Sequence, residues 1–180
     1  MALRGATARR YAESVFAIAR DQNTFDRWLE DLATIRAVFT NPDMARLLAD
    51  PKPGLREKEA VAERLLRGKV EPLALNLARL LIQRQVAGLI VDIERDMQAM
   101  VNEHRNIAVA EVTTAVELDR QQLDVLKQRL EVLTAKTIRI EPRIDKSILG
   151  GFIARVGDVL IDASLTTRLA SMRRELLAHT

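Results

Sequence analysis

The sequence predicts a mainly α-helical chain with a small α+β part. An N-terminal six-helix bundle is expected over residues 1–105, and a small C-terminal strand/helix domain over residues 106–180. Three observations predict this. Apolar residues recur at helical spacing in six successive segments before residue 105, separated by proline, glycine or asparagine breaks. The composition then turns β-branched in "IAVAEVTTAV" at 107–116. Apolar residues make up 48% of the chain and aromatics only 3%, so the core is built from Leu, Ile, Val and Ala, which favours packed helices over an aromatic-rich sandwich or barrel.

The first helix is expected from Ala6 or Thr7 to about Asp21-Gln22-Asn23. Tyr11, Val15 and Ile18 share one stripe, with Ala8, Ala12, Phe16 and Ala19 beside it. Thr24 is the expected N-cap of a second helix, whose Trp28, Leu32, Ile35 and Phe39 repeat at helical spacing. Asn41-Pro42-Asp43 stops that helix and starts a short third through Met44, Leu47 and Leu48. "DPKPG" at 50–54 is a turn or linker. A fourth helix carries Val61, Leu65 and Leu66 until Gly68 breaks it. Glu71-Pro72 opens a fifth with Leu73, Leu77, Leu80 and Leu81. The sixth, from about Leu89, places Ile90, Ile93, Met97 and Met100 or Val101 on one face.

Beyond the 107–116 strand, Asp119 caps a helix, with Gln122 placed for a capping box and Leu123, Leu126, Leu130 and Leu133 as the apolar face. "TIRIEP" at 137–142 alternates as a half-exposed strand that Pro142 ends. In "GGFIARVGDVLIDASLTTRL" (150–169), Gly150-Gly151 frees the backbone and Gly157-Asp158 makes a two-residue hairpin turn. Asp162 and Ser164 start a final helix with Leu165, Leu169, Met172 and Leu176 in register.

Several function classes are disfavoured. With no cysteine there is no disulfide framework, thiolate zinc site or cysteine nucleophile. "MALRGATARRYAESVF" lacks the uninterrupted apolar run of a secretory signal, and "LARLLIQ" and "VAGLIVDI" are too short to span a membrane. Membrane attachment is therefore expected only through partners. The net charge of +3 is spread among alternating acids and bases, with no basic run longer than a pair. A basic helical nucleic-acid-binding protein is the alternative reading, and salt-sensitive binding would mark it.

No catalytic, cofactor or metal site is expected. His104 and His179 are isolated, and no HExxH-like spacing exists. There is no phosphate-binding loop motif; Gly150, Gly151 and Gly157 do not fit one, and a strand-like run follows the first two where a helix should begin. An enzyme using Asp158, Asp162 and Arg155 is a third option that needs a pocket gathering those groups. Trp28 reads as core. Tyr11, beside the small Ala8 and Ala12, fits internal packing or a docking groove equally well.

At this point the C-terminal stretch becomes diagnostic. "IDKSILGGFIARVGDVLIDASLTTRLASMRREL" resembles the signature of the delta subunit of bacterial F-type ATP synthases, a family that includes the mitochondrial oligomycin-sensitivity-conferring protein. Matching positions are Asp145, Ser147, Gly150-Gly151, Gly157-Asp158, Asp162, Ser164 and Leu169. "ARRYAESVFAIA" is similar to the family's first helix, and "FDRWLEDL" and "LARLLIQR" to its second and fifth. "AEVTTAVELDRQQL" resembles its passage between domains. Ala163 departs from the glycine that many members carry there.

The resemblance implies a non-catalytic stator subunit of the peripheral stalk, on the cytoplasmic face of the bacterial cell membrane. It links the catalytic head to the b-subunit stalk, so that proton translocation is coupled to ATP synthesis. It implies that a groove between the first and fifth helices receives an alpha-subunit N-terminus, and that the C-terminal domain meets the b subunits. By position, Tyr11, Ala12, Val15, Leu77, Leu80 and Leu81 are the groove candidates; some of them must instead face the core.

Overall fold

The computed structural model describes residues 2–146, 148, 150–169 and 172. The chain divides into two compact units, Met1–Val101 and Asn102–Thr180. It is mainly helical, with one small sheet in its C-terminal part.

The helices before the sheet are α1 (Ala2–Gln22), α2 (Phe25–Phe39), α3 (Pro42–Ala49), α4 (Leu55–Leu66), α5 (Pro72–Gln83) and α6 (Ile90–His104). A single 3₁₀ turn at Ala87–Leu89 precedes the last. Helix α2 is central: it packs against α1, α3, α4 and α5. Its Trp28, Leu32, Ile35 and Phe39 are all buried, as their spacing predicts. Helix α1 begins earlier than its apolar stripe, because Ala2–Ala6 extends the helix despite Gly5. It buries Ala8, Ala12, Val15 and Ala19.

Thr24 occupies the N-cap position of α2, but its buried Oγ1 makes no cap bond. The cause is the end of α1. Asn23 is left-handed (φ 54°), its N–H donates to Arg20 O, and the Thr24 N–H donates to Ala19 O. This Schellman closure holds Thr24 away from the extended backbone that an N-cap hydroxyl needs. Asn41 does cap α3, accepting from the Asp43 N–H.

Four apolar positions depart from the expected faces. Ile18, Leu65, Leu73 and Leu80 are exposed, while their helices bury Val15, Leu66, Ala74 and Leu81. Each lies next to or near the buried stripe, where a 3.6-residue period alone cannot place a helix's edge.

In the second unit, β1 (Ile107–Thr114), β2 (Thr137–Ile144), β3 (Phe152–Val156) and β4 (Val159–Asp162) form a sheet in the order β2-β1-β3-β4. Strands β1 and β2 are parallel, joined through α7 (Arg120–Thr134), and β3 and β4 add antiparallel. The Asp119–Gln122 capping box that starts α7 is complete. Ala110, Val112, Leu126, Leu130, Ile138, Ala154 and Val156 make this unit's core. Leu133, expected there, is 68% exposed, near the end of α7. Pro142 does not end β2: it pairs with Val112. An edge strand has one unpaired side, so a proline there forfeits no ladder bond when its nitrogen faces outward. The final helix is seen at residues 165–169 and 172, and Leu176 lies outside the described residues.

Candidate docking surfaces

The six groove candidates separate by burial. Ala12, Val15, Leu77 and Leu81 belong to the core of the first unit, Tyr11 is half-buried against that core, and Leu80 is 38% exposed. Tyr11 and Leu80 are therefore the two that face outward from α1 and α5. Ile18 and Leu73 add exposed apolar surface on the same two helices.

Helix α5 is positioned by polar groups that periodicity did not single out. Asp31 of α2 is only 2% exposed, and its Oδ2 accepts from the backbone N–H of Glu71, the N-cap residue of α5, at 3.2 Å. Arg27 reaches both Asp31 Oδ1 (3.6 Å) and Glu71 Oε1 (3.3 Å). Burial pushes the Asp31 carboxyl up from its ordinary range, against the lowering by the Glu71 N–H and Arg27. Glu63 of α4 takes Arg79 of α5 on Oε2 (2.7 Å) and Arg67 on Oε1, and these bonds hold its carboxyl below the usual range. Lys58, also buried, donates to Leu48 O and Asp50 O and so closes the end of α3. A signal for Asp31 and Lys58 was available. Asp31 lies three residues after Trp28 and four before Ile35, and Lys58 lies four before Ala62, so both fall on buried stripes.

In the second unit, Gly150-Gly151 runs against the start of the final helix. The Leu165 N–H donates to Gly150 O (3.0 Å), and the Ala163 N–H donates to Phe152 O (2.9 Å). Gly157 (φ 58°) and Asp158 form the two-residue turn between β3 and β4, the left-handed first position of a II′ hairpin. Asp162 accepts from the Ser164 N–H (2.9 Å) and the Thr167 hydroxyl (2.7 Å), and these bonds hold its carboxyl low. Ser164 Oγ accepts from the Thr167 N–H, as an N-cap does. Ala163 has no positive φ, so the missing glycine costs no backbone strain. Ser147 of the signature lies outside the described residues.

Asp158 and Asp162 do not share the described hollow at Arg155. Arg155 lines a hollow of about 290 Å³ on the sheet with Glu111, Thr113, Arg143, Ile153 and Leu160, and neither aspartate lines it. Both oxygens of Asp162 are taken by cap bonds. Among the described residues no group of three or more His, Asp or Glu side chains is placed to hold a metal ion. His104 ends α6, and His179 lies outside the described residues. No described helix is long and apolar enough to cross a membrane. Many arginines are spent on ion pairs, as in Arg9–Glu13, Arg36–Glu94 (2.6 Å) and Arg95–Asp92, which works against a basic stripe for nucleic acid.

The second unit carries an apolar concavity of about 480 Å³. Val116, Leu118, Val125 and Leu126 line it together with Gly150, Gly151 and Phe152. Val125 is 52% exposed and Val116 is exposed too. Neither half of the chain thus presents an assembled catalytic centre among its described residues. Each exposes apolar side chains among its described residues.

Comparison with known proteins gives one family. The family model described as the ATP synthase delta (OSCP) subunit matches residues 7–176. The ATP synthase subunit delta of Synechococcus elongatus is 35% identical over 170 residues, covering 93% of this chain and 94% of its own length. That of Desulfotalea psychrophila is 32% identical over 171 residues, covering 94% of each chain. In fold, the chain is similar to one in the cryo-EM structure of the Toxoplasma gondii mitochondrial ATP synthase hexamer. The TM-score is 0.66 at 23% identity, over 94% of this chain and 97% of that one.

Proposed function

The chain belongs to the ATP synthase delta (OSCP) subunit family, and on that premise we propose how it works as a stator subunit of an F-type ATP synthase. Its first unit, acting as a six-helix bundle, receives the N-terminal helix of an alpha subunit. Its second unit meets the C-terminal ends of the b subunits. The catalytic head is thereby tied to the stalk and cannot turn with the rotor, so proton translocation stays coupled to ATP synthesis. The chain carries out no chemistry of its own, binds no cofactor, and reaches the cytoplasmic face of the membrane only through the complex.

The observation that carries the alpha-docking assignment is the outward placement of Tyr11 and Leu80 over a core containing Ala12, Val15, Leu77 and Leu81. Small side chains let a partner helix approach, and the outward apolar groups supply its anchors. The b-subunit contact is assigned to the apolar pocket around Val116 and Val125. A stator bears torque at every turnover, so slow dissociation matters more than fast association.

The test is calorimetric titration of the purified chain with a peptide of the N-terminal helix of the same organism's alpha subunit. Saturable one-to-one binding is expected. Absence of binding, with the chain natively folded by far-UV dichroism, would remove the alpha-docking assignment.

A further inference from the structure

Resting on the alpha-docking reading above, we infer that Asp31 is a positioning residue for that surface: by accepting the Glu71 N–H across helices, it fixes the start and rotation of α5 and so presents Leu80 outward.

Helix α5 has no side-chain N-cap of its own. Pro72 stands in its first turn and has no N–H, and the N-cap residue Glu71 makes no side-chain cap bond. The acceptor comes instead from α2: Asp31 Oδ2 takes the Glu71 N–H at 3.2 Å, and Arg27 ties the same carboxylate to the Glu71 side chain. A negative group at this end also suits the helix dipole. Stability alone does not call for an acid here, since an apolar side chain commonly serves a buried site as well or better. What the carboxylate adds is direction.

Direction matters because adjacent leucines of α5 have opposite tasks. Leu81 is fully buried and Leu80 is exposed. A slip of one residue turns a helix by about 100° and shifts it by about 1.5 Å, which would carry Leu80 into the buried place of Leu81. Packing of Ala74, Leu77, Ala78, Leu81 and Ile82 sets which face of α5 is buried. The hydrogen bond from a backbone position on α5 to the Asp31 carboxylate on α2 adds a polar reference point at the start of the helix.

The chain has no cysteine, so a pair of introduced cysteines can be spin-labelled uniquely. Labels at Leu80→Cys and Ile18→Cys, both exposed sites on different helices, report the placement of α5 by pulsed dipolar spectroscopy, with no partner present. In the full chain, Asp31→Ala should broaden the distance distribution or move its centre by roughly 2 Å or more, beyond one residue's rise. Asp31→Asn keeps the acceptor and should restore it. If Asp31→Ala does not fold, Asp31→Val fills the site without an acceptor and serves in its place. Met97→Ala, a core truncation outside α5, is the control for general loss of stability and should leave the distribution narrow.

In parallel, Asp31→Ala without labels should weaken binding of the alpha-subunit peptide about tenfold at a temperature where it is fully folded, and Asp31→Asn by less than about twofold. An unchanged distance distribution in the acceptor-free variant overturns the positioning role, whatever the peptide does. A distribution that changes, in a protein whose wild type ignores the peptide, upholds the role of Asp31 and overturns the docking reading.

Discussion

Gly151 lies against Ala163 so closely that a Cβ on Gly151 would overlap the Ala163 carbonyl oxygen and come within 3.1 Å of the Ser164 Cα. Its φ of +80° is also one that side-chain-bearing residues rarely adopt. Both obstacles are backbone, which cannot swing aside. Gly151→Ala should therefore destabilise the second unit by about 2 kcal/mol or more, lowering its unfolding midpoint by roughly 10 °C. The single tryptophan, Trp28, is buried in the first unit and supplies the contrast. Thermal unfolding followed by Trp28 emission should stay at its wild-type midpoint while part of the far-UV dichroism melts early. A common early midpoint for both signals would refute the local account.

Replacing Tyr11, half-buried against the core, and exposed Leu80 with Asp places charge on the two outward groove candidates. The double variant should bind the alpha-subunit peptide at least about a hundredfold more weakly, as loss of two interface anchors implies, with far-UV dichroism unchanged. Native folding combined with undiminished affinity would remove both residues from the surface.

Burial decides which of these inferences the sequence could reach. The α2 stripe was legible because Trp28, Leu32, Ile35 and Phe39 face one dense core, so period and burial coincide. The Asp119–Gln122 box and the Gly157-Asp158 turn were legible because local hydrogen bonding and backbone conformation alone specify them. The division of the groove candidates was not, since Leu80 and Leu81 are the same residue and differ only in which neighbours surround them. For Asp31 the stripe shows that the acid is buried, but its partner, the Glu71 N–H, lies forty residues away and leaves no local signal. Thr24 shows the limit of cap rules, because the Asn23 closure of α1 decides its backbone first.

Asp31 and Asp162 should impose opposite pH dependences. Burial raises the Asp31 carboxyl above its ordinary value, with Arg27, Glu30 and Glu71 as the charges around it. Its contribution is thus complete below the unfolded value and is lost as pH rises through the folded one. Asp31→Asn should accordingly raise the first unit's midpoint at pH 7 by a few degrees, and the gain should vanish on acidification below the carboxylate range. Asp162 is held low by the Ser164 N–H and the Thr167 hydroxyl, so its contribution is present above the unfolded value and lost as pH falls through the folded one. The deficit of Asp162→Ala should therefore be full at pH 7 and shrink in acid. Thermal melts of both variants across pH 2.5–7, a range of about one carboxylate titration, check the two signs; matching slopes would contradict the assigned causes.

The apolar pocket of the second unit supplies the remaining prediction. Val125 is half-exposed on α7 and lines that pocket with Gly150 and Gly151, yet it is not among the buried residues of the unit's core. A glutamate there would disturb folding little while placing a charge where an apolar partner surface must desolvate. Val125→Glu should therefore abolish capture of the soluble C-terminal region of the same organism's b subunit, yet leave alpha-subunit peptide binding within about twofold of wild type. Loss of both activities would point to a folding defect, which Gly151→Ala provides a reference for. Retention of b-subunit capture would move that interface away from the pocket, to the exposed Leu165, Leu169 and Met172 of the final helix.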